Sequence, residues 1–174
     1  MTVRPLVVAA LTALSLLGCF VREGEPSAPS ARAVGEPVQF TFGTLTGEEL
    51  SSDTTRGRTT ALLFVTTYDL PSQAEAQLLR DVLATHKPRA NGAIVMMEAP
   101  RAADLAQVWA RSISVDLPIA MATPALMSGD SELGRINGVP TLIVLDRHGR
   151  LLERREGALT REEIAEAVAR AERP

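Results

Sequence analysis

At 174 residues, 45% hydrophobic and 22% charged, the chain has the make-up of one ordinary globular domain with room for an appendage. A formal net charge of −3, with no basic tract interleaved with aromatics, argues against nucleic acid as a partner. One cysteine, Cys19, excludes an intrachain disulfide, and the histidines are only two, His86 and His148.

Met1–Arg4 is a short start with one positive charge, and Pro5–Leu17 is an unbroken run of apolar and small residues. The run is too short to span a bilayer as a helix and matches the apolar region of an export signal. It closes on Leu16-Leu17-Gly18-Cys19, with no small-x-small cleavage site of the ordinary kind. These four residues resemble the bacterial lipobox. The resemblance implies that 1–18 is a lipoprotein signal peptide, that the chain is cut before Cys19, and that Cys19 carries the lipid, with its new amine open to acylation by palmitate or a similar chain. The alternative is an ordinary signal with a chance cysteine. Two or three acyl chains on one residue anchor stably, whereas one does not. Phe20, rather than an aspartate, follows the cysteine. The lipobox resemblance then implies the outer membrane of a double-membraned cell, with the domain facing the periplasm or other extracytoplasmic space. Residues 19–37 read as a flexible tether. They are rich in Pro, Ser, Ala and Glu, show no hydrophobic period, and give a mean reach of roughly 20–25 Å.

Residues 38–174 read as the folded domain. Val38–Phe42 alternates as a short strand. Thr46-Gly47 marks a turn and Glu48–Leu50 the hairpin return. Thr60–Thr67 is β-branched and apolar without polar alternation, as expected of a strand buried on both faces. Pro71–His86 carries Ala74, Leu78, Leu79, Val82 and Leu83 at helical spacing. Asn91-Gly92 reads as a turn, Ala93–Met97 as a second buried strand, and Pro100–Arg111 as a helix with Leu105, Val108 and Trp109 inward. Leu117–Ala122 suits a short strand and Ser131–Ile136 a short helix. Thr141–Leu145 is a strand, Asp146–Gly149 a hairpin turn and Leu151–Arg155 its return. Thr160-Arg161-Glu162-Glu163 is a capping box opening a last helix with Ile164, Ala165 and Val168 inward. This order predicts an α/β fold: a mixed central β-sheet flanked by α-helices, with an N-terminal β-hairpin extension.

Four stretches are more specific: Phe40–Gly47, Gly57–Tyr68, Ala74-Glu75 and Gly138–Arg150. In this order they resemble the membrane-anchored TlpA/ResA type of thioredoxin-like (redoxin) protein, over residues 38 to about 170. The resemblance implies a thioredoxin-like fold, a cis proline at Pro140, and a redox site where the Thr60–Thr67 strand meets its helix. In relatives that junction holds Cys-Pro-Pro-Cys after a tryptophan. Here Tyr68 takes the tryptophan's place, and Asp69-Leu70-Pro71-Ser72 replaces the four-residue motif. Asp69 and Ser72 stand at the two cysteine positions, and neither side chain exchanges disulfides.

Asp69 is therefore an N-cap with Pro71 in the first turn, or else a functional carboxylate acting as a base or cation ligand. Ser72 with Glu75 offers an alternative capping box one turn further in. Pro140 is either a structural turn proline or part of a retained docking edge, in which Tyr68, Asp69, Val139 and Pro140 line a shallow groove for an extended peptide. Met96 and Met97 alternate along a strand and read as core rather than soft metal ligands. No catalytic residue, cofactor or metal site is expected. Three readings follow. The first is a lipid-anchored, redox-inactive accessory module that binds protein segments. The second is an oxidoreductase-related protein that depends on a partner thiol, and the third a metal-binding envelope protein.

Overall fold

The computed structural model describes residues 35–173. The expected signal segment, Cys19 and the expected tether as far as position 34 lie outside the described residues, as does Pro174. In chain order the elements begin with β1 (Thr41–Gly43), β2 (Glu49–Ser51), α1 (Ser52–Thr55), β3 (Thr59–Val65), α2 (Leu70–His86) and β4 (Ala90–Met96). They continue with α3 (Ala103–Ser112), β5 (Ile119–Met121), α4 (Pro124–Ser128), β6 (Thr141–Leu145), β7 (Leu151–Glu156) and α5 (Arg161–Glu172).

Thr-Thr-Ala-Leu-Leu-Phe-Val is buried at every position of β3, which makes it the middle of a five-stranded sheet ordered β5-β4-β3-β6-β7. β3 pairs parallel with β4 and antiparallel with β6, so the sheet is mixed. The side chains of a strand alternate between its faces, which here feed two cores. Ala61, Leu63 and Val65 point into one core with residues of α2, α3 and α5. Leu62 and Phe64 point into the other, with Leu126, Leu133 and the stacked pair Phe40–Phe42, whose rings lie 5.5 Å apart. β1 and β2 form the predicted hairpin, and its Leu45 N–H donates to the Ile119 carbonyl at 2.8 Å, covering the β5 edge. The capping box opening α5 is present, with Thr160 and Glu163 bonded reciprocally.

Several expectations fail locally. Asn91-Gly92 is no turn but lies inside β4. The chain reverses earlier, over Lys87–Arg89, where Lys87–Pro88 is cis and Arg89 N–H donates to the His86 carbonyl. A glycine is needed at 92 because α2 presses on the strand there. An added Cβ would stand 2.0 Å from Leu83 Cδ1, and Leu83 is itself buried. Gly92→Ala is expected to destabilise the protein by about 1–3 kcal/mol through overpacking. Urea unfolding measures this, and a wild-type midpoint would contradict the packing.

The inward face of α3 is Ala106, Trp109 and Ala110; Leu105 and Val108 are exposed. A three-turn helix with two large apolar residues turned outward misleads any count by spacing alone. Ser131–Ile136 is irregular, and the helix of this region is α4, one turn upstream, capped by Thr123 and ended by Gly129 at φ 90°. Val38–Phe42 is extended, but ladder pairing starts only at Thr41; before it Pro37 bridges Arg150.

Candidate functional site

The register of the sheet brings the sequence candidates to one end. Thr141 opens β6 opposite Phe64, so Pro140 falls beside Val65, where β3 runs out into Thr66–Asp69 and α2 begins. The Val139–Pro140 bond is cis. The Pro140 carbonyl accepts from Gly157 N–H at 2.8 Å. Among the described residues no hydrogen bond engages the backbone of half-buried Val139. Tyr68 and Leu70 flank the turn and are 79% and 75% exposed, leaving two large apolar side chains in solvent at this end.

Asp69 is the N-cap of α2. Its Oδ2 accepts from Ser72 N–H at 2.9 Å and from the Ser72 hydroxyl at 2.6 Å, and Pro71 sits in the first turn. Ser72 is fully buried, and its oxygen also lies 3.5 Å from Thr66 N–H. Asp69 and Ser72 thus bond to each other and to the helix start. The alternative capping box does not form, because Ser72 is used by Asp69 and Glu75 turns inward. Asp69→Ala removes the cap, about 1 kcal/mol, and strands a buried hydroxyl, about 1–2 kcal/mol more. Thermal unfolding is expected to show that loss, with Asp69→Asn recovering most of it; equal loss in both variants would contradict the cap.

Two acidic residues complete the end: Glu98, which the sequence analysis does not assign, and Glu75, expected there only as part of a capping box with Ser72. Glu98, just past β4, accepts from the Thr67 hydroxyl at 2.8 Å and from Thr67 N–H at 3.3 Å, fixing the turn that carries Tyr68. Glu75 is 1% exposed; its Oε2 accepts from Leu159 N–H at 3.0 Å, while Oε1 is buried without a partner. Burial pushes its carboxyl up to about 7; the Leu159 bond pulls the other way, and nearby Glu163 adds to the rise. Ser72, Glu75, Leu79 and Val82 form one buried stripe along α2, and that stripe carries Glu75 inward.

The other candidates are elsewhere. Met96 and Met97 pack into opposite cores. His86 Nδ1 meets Glu172 at 3.1 Å, joining the ends of α2 and α5, and His148 is exposed at a hairpin tip. Among the described residues no three His, Cys, Asp or Glu side chains converge as a metal site. Two surface cavities, about 350 and 410 Å³, lie at the far end along Val115–Pro118; Tyr68, Asp69, Val139 and Pro140 line neither.

A five-stranded mixed sheet, a helix starting at its central strand and a cis proline opening the adjacent strand decide the architecture. The chain has a thioredoxin-like fold. No protein-family model matches its sequence, and no characterised protein matches it by sequence. Solved structures do. A thiol:disulfide interchange protein of the thioredoxin family from Chlorobium tepidum is 24% identical, with TM-score 0.64 over 78% of this chain and 94% of that one. A secreted Mycobacterium tuberculosis disulfide oxidoreductase is 19% identical, with TM-score 0.63 over 76% and 96%. An exposed lipoprotein thioredoxin from Streptococcus pneumoniae is 14% identical, with TM-score 0.63 over 76% and 98%. The thioredoxin-like domain of this chain has no cysteine among its described residues, and the sequence's one cysteine, Cys19, precedes them. Among the described residues no helix is long and apolar enough to cross a membrane.

Proposed function

We propose that this chain is a lipid-anchored accessory protein of the cell envelope whose thioredoxin-like domain docks extended polypeptide segments and carries out no thiol chemistry. One observation carries the reading. At the start of α2, Asp69 and Ser72 satisfy one another where the motif would hold two thiols, while the unpaired backbone of Val139 beside cis Pro140 is kept. An edge with free N–H and C=O groups recognises a chain by main-chain bonds. Tyr68 and Leu70 offer apolar contact for its side chains. The anchor rests on Leu16–Cys19, and the likeness to an exposed lipoprotein thioredoxin is consistent with it.

The test is insulin reduction by the full chain with a dithiol reductant. No turnover above the reductant alone is expected; turnover would restore the oxidoreductase reading. Fractionation tests the anchor. The wild-type protein is expected in the detergent-soluble membrane fraction and Cys19→Ala in the soluble fraction, and equal partition would remove the lipid from the account.

A further inference from the structure

We propose that Glu75 is the positioning residue of the docking edge, tying the first turns of α2 to the loop that holds Pro140 in place. The inference rests on the docking reading for what the edge is used for; the tie itself is geometric. Glu75 lies one turn beyond Ser72 on the buried side of α2. Its Oε2 accepts from Leu159 N–H at 3.0 Å, across 84 residues of sequence. Leu159 stands two residues after Gly157, whose N–H donates to the Pro140 carbonyl at 2.8 Å, and directly before Thr160, the N-cap of α5. A continuous line of bonds therefore runs from α2 through Glu75 and residues 157–159 to Pro140. Among the described residues no other side chain accepts a hydrogen bond from the backbone of 157–159.

The tie has an unsatisfied half. Oε1 is buried and has no donor. As a neutral acid, Glu75 keeps the Leu159 bond and leaves only a hydroxyl unpaired. As a carboxylate, it places charge on an oxygen with no partner, which favours water entry and opening of the 157–159 loop. The charged group acting on Glu75 from α5 is Glu163, which repels it. Glu163 is itself held by Thr160 N–H and the Thr160 hydroxyl, with Arg155 of β7 acting on it. No cation is placed to compensate Glu75 among the groups that act on it. The edge beside Pro140 is thus firm when Glu75 is neutral and loosened when it ionises.

Amide hydrogen exchange on the full chain tests this without any ligand. Rates at pH 5.5 and 8.5 are corrected for intrinsic exchange and referenced to Ile94 in β4. The Leu159 and Gly157 amides are expected to lose about tenfold in protection at the higher pH, the ratio for one buried hydrogen bond. Glu75→Gln, which keeps the acceptor and cannot ionise, is expected to hold protection at both pH values. Glu75→Ala is expected to lose it at both while Ile94 stays protected. Protection at Leu159 and Gly157 that ignores pH in the wild type, or survives in Glu75→Ala, overturns the proposal. A thiol-free unfolded chain that fails to bind, with the exchange pattern as expected, would remove docking and leave the tie standing.

Discussion

Between pH 5 and pH 8.5 the wild-type protein is expected to lose about 2–3 kcal/mol of stability relative to Glu75→Gln, measured by urea unfolding across the range. The direction follows from where the proton is held. The Glu75 carboxyl rises from an ordinary value of 4.5 to about 7 in the fold, mainly by burial. Below 4.5 the group is protonated in both states and contributes no difference. Between 4.5 and about 7 the folded state holds a proton that the unfolded state has released, so stability falls as pH rises, and above 7 the loss is complete. Each unit of difference corresponds to about 1.4 kcal/mol, which gives roughly 3 kcal/mol as the upper figure. At pH 5 the glutamine variant is expected to be no more stable than wild type, since its NH₂ group meets the same dry surroundings as Oε1. At pH 8.5 it is expected to be the more stable. A wild-type curve parallel to that of Glu75→Gln would show that Glu75 is hydrated in solution.

The second large effect is a gain. Asp69→Cys with Ser72→Cys is expected to close a disulfide and, with a dithiol as reductant, to reduce insulin, an activity not expected of the wild type. The geometry supplies what such a pair needs. Position 69 is the half-buried N-cap of a 17-residue helix, where the dipole favours a thiolate. Position 72 is fully buried three residues on, a sheltered place for the resolving thiol. The helix loses the Asp69 cap, about 1 kcal/mol, which leaves the fold intact. Asp69→Cys alone lacks a resolving partner and is expected to stop at a mixed disulfide without turnover. A folded double variant that forms its disulfide and still fails to reduce insulin would mean that residues 68–72 and Pro140 no longer form a working site for an extended substrate.

Much of this fold was legible because its strongest signals are local. β3 announces itself as seven buried positions rich in β-branched and apolar residues, and β6 and β7 by the Asp146–Gly149 turn between them. α5 is marked by a capping box whose two bonds are both present. Failures came where tertiary contact overrode a local rule. Asn91-Gly92 has turn chemistry, but Gly92 is there to let Leu83 approach the strand. α3 turns Leu105 and Val108 outward because Ala106, Trp109 and Ala110 already fill its inner face. At the site, the cap at Asp69 and the loss of both thiols could be read directly. Glu75 could not be placed, because the spacing that suggests a capping box with Ser72 is also the spacing that puts it on the buried stripe. Only the Leu159 amide, distant in sequence, decides between them.

The central claim is that the Tyr68–Pro140 end binds an extended chain without exchanging disulfides. The most direct measurement is an amide chemical-shift titration of the full chain with an unfolded polypeptide whose cysteines have been reduced and carboxymethylated. The account predicts saturable shifts at Tyr68, Asp69, Val139 and Gly157, with the cavity-lining residues Arg58 and Asp116 at the far end unmoved. Saturable shifts at the far end alone, or none at Val139 and Gly157 at any concentration, would contradict it.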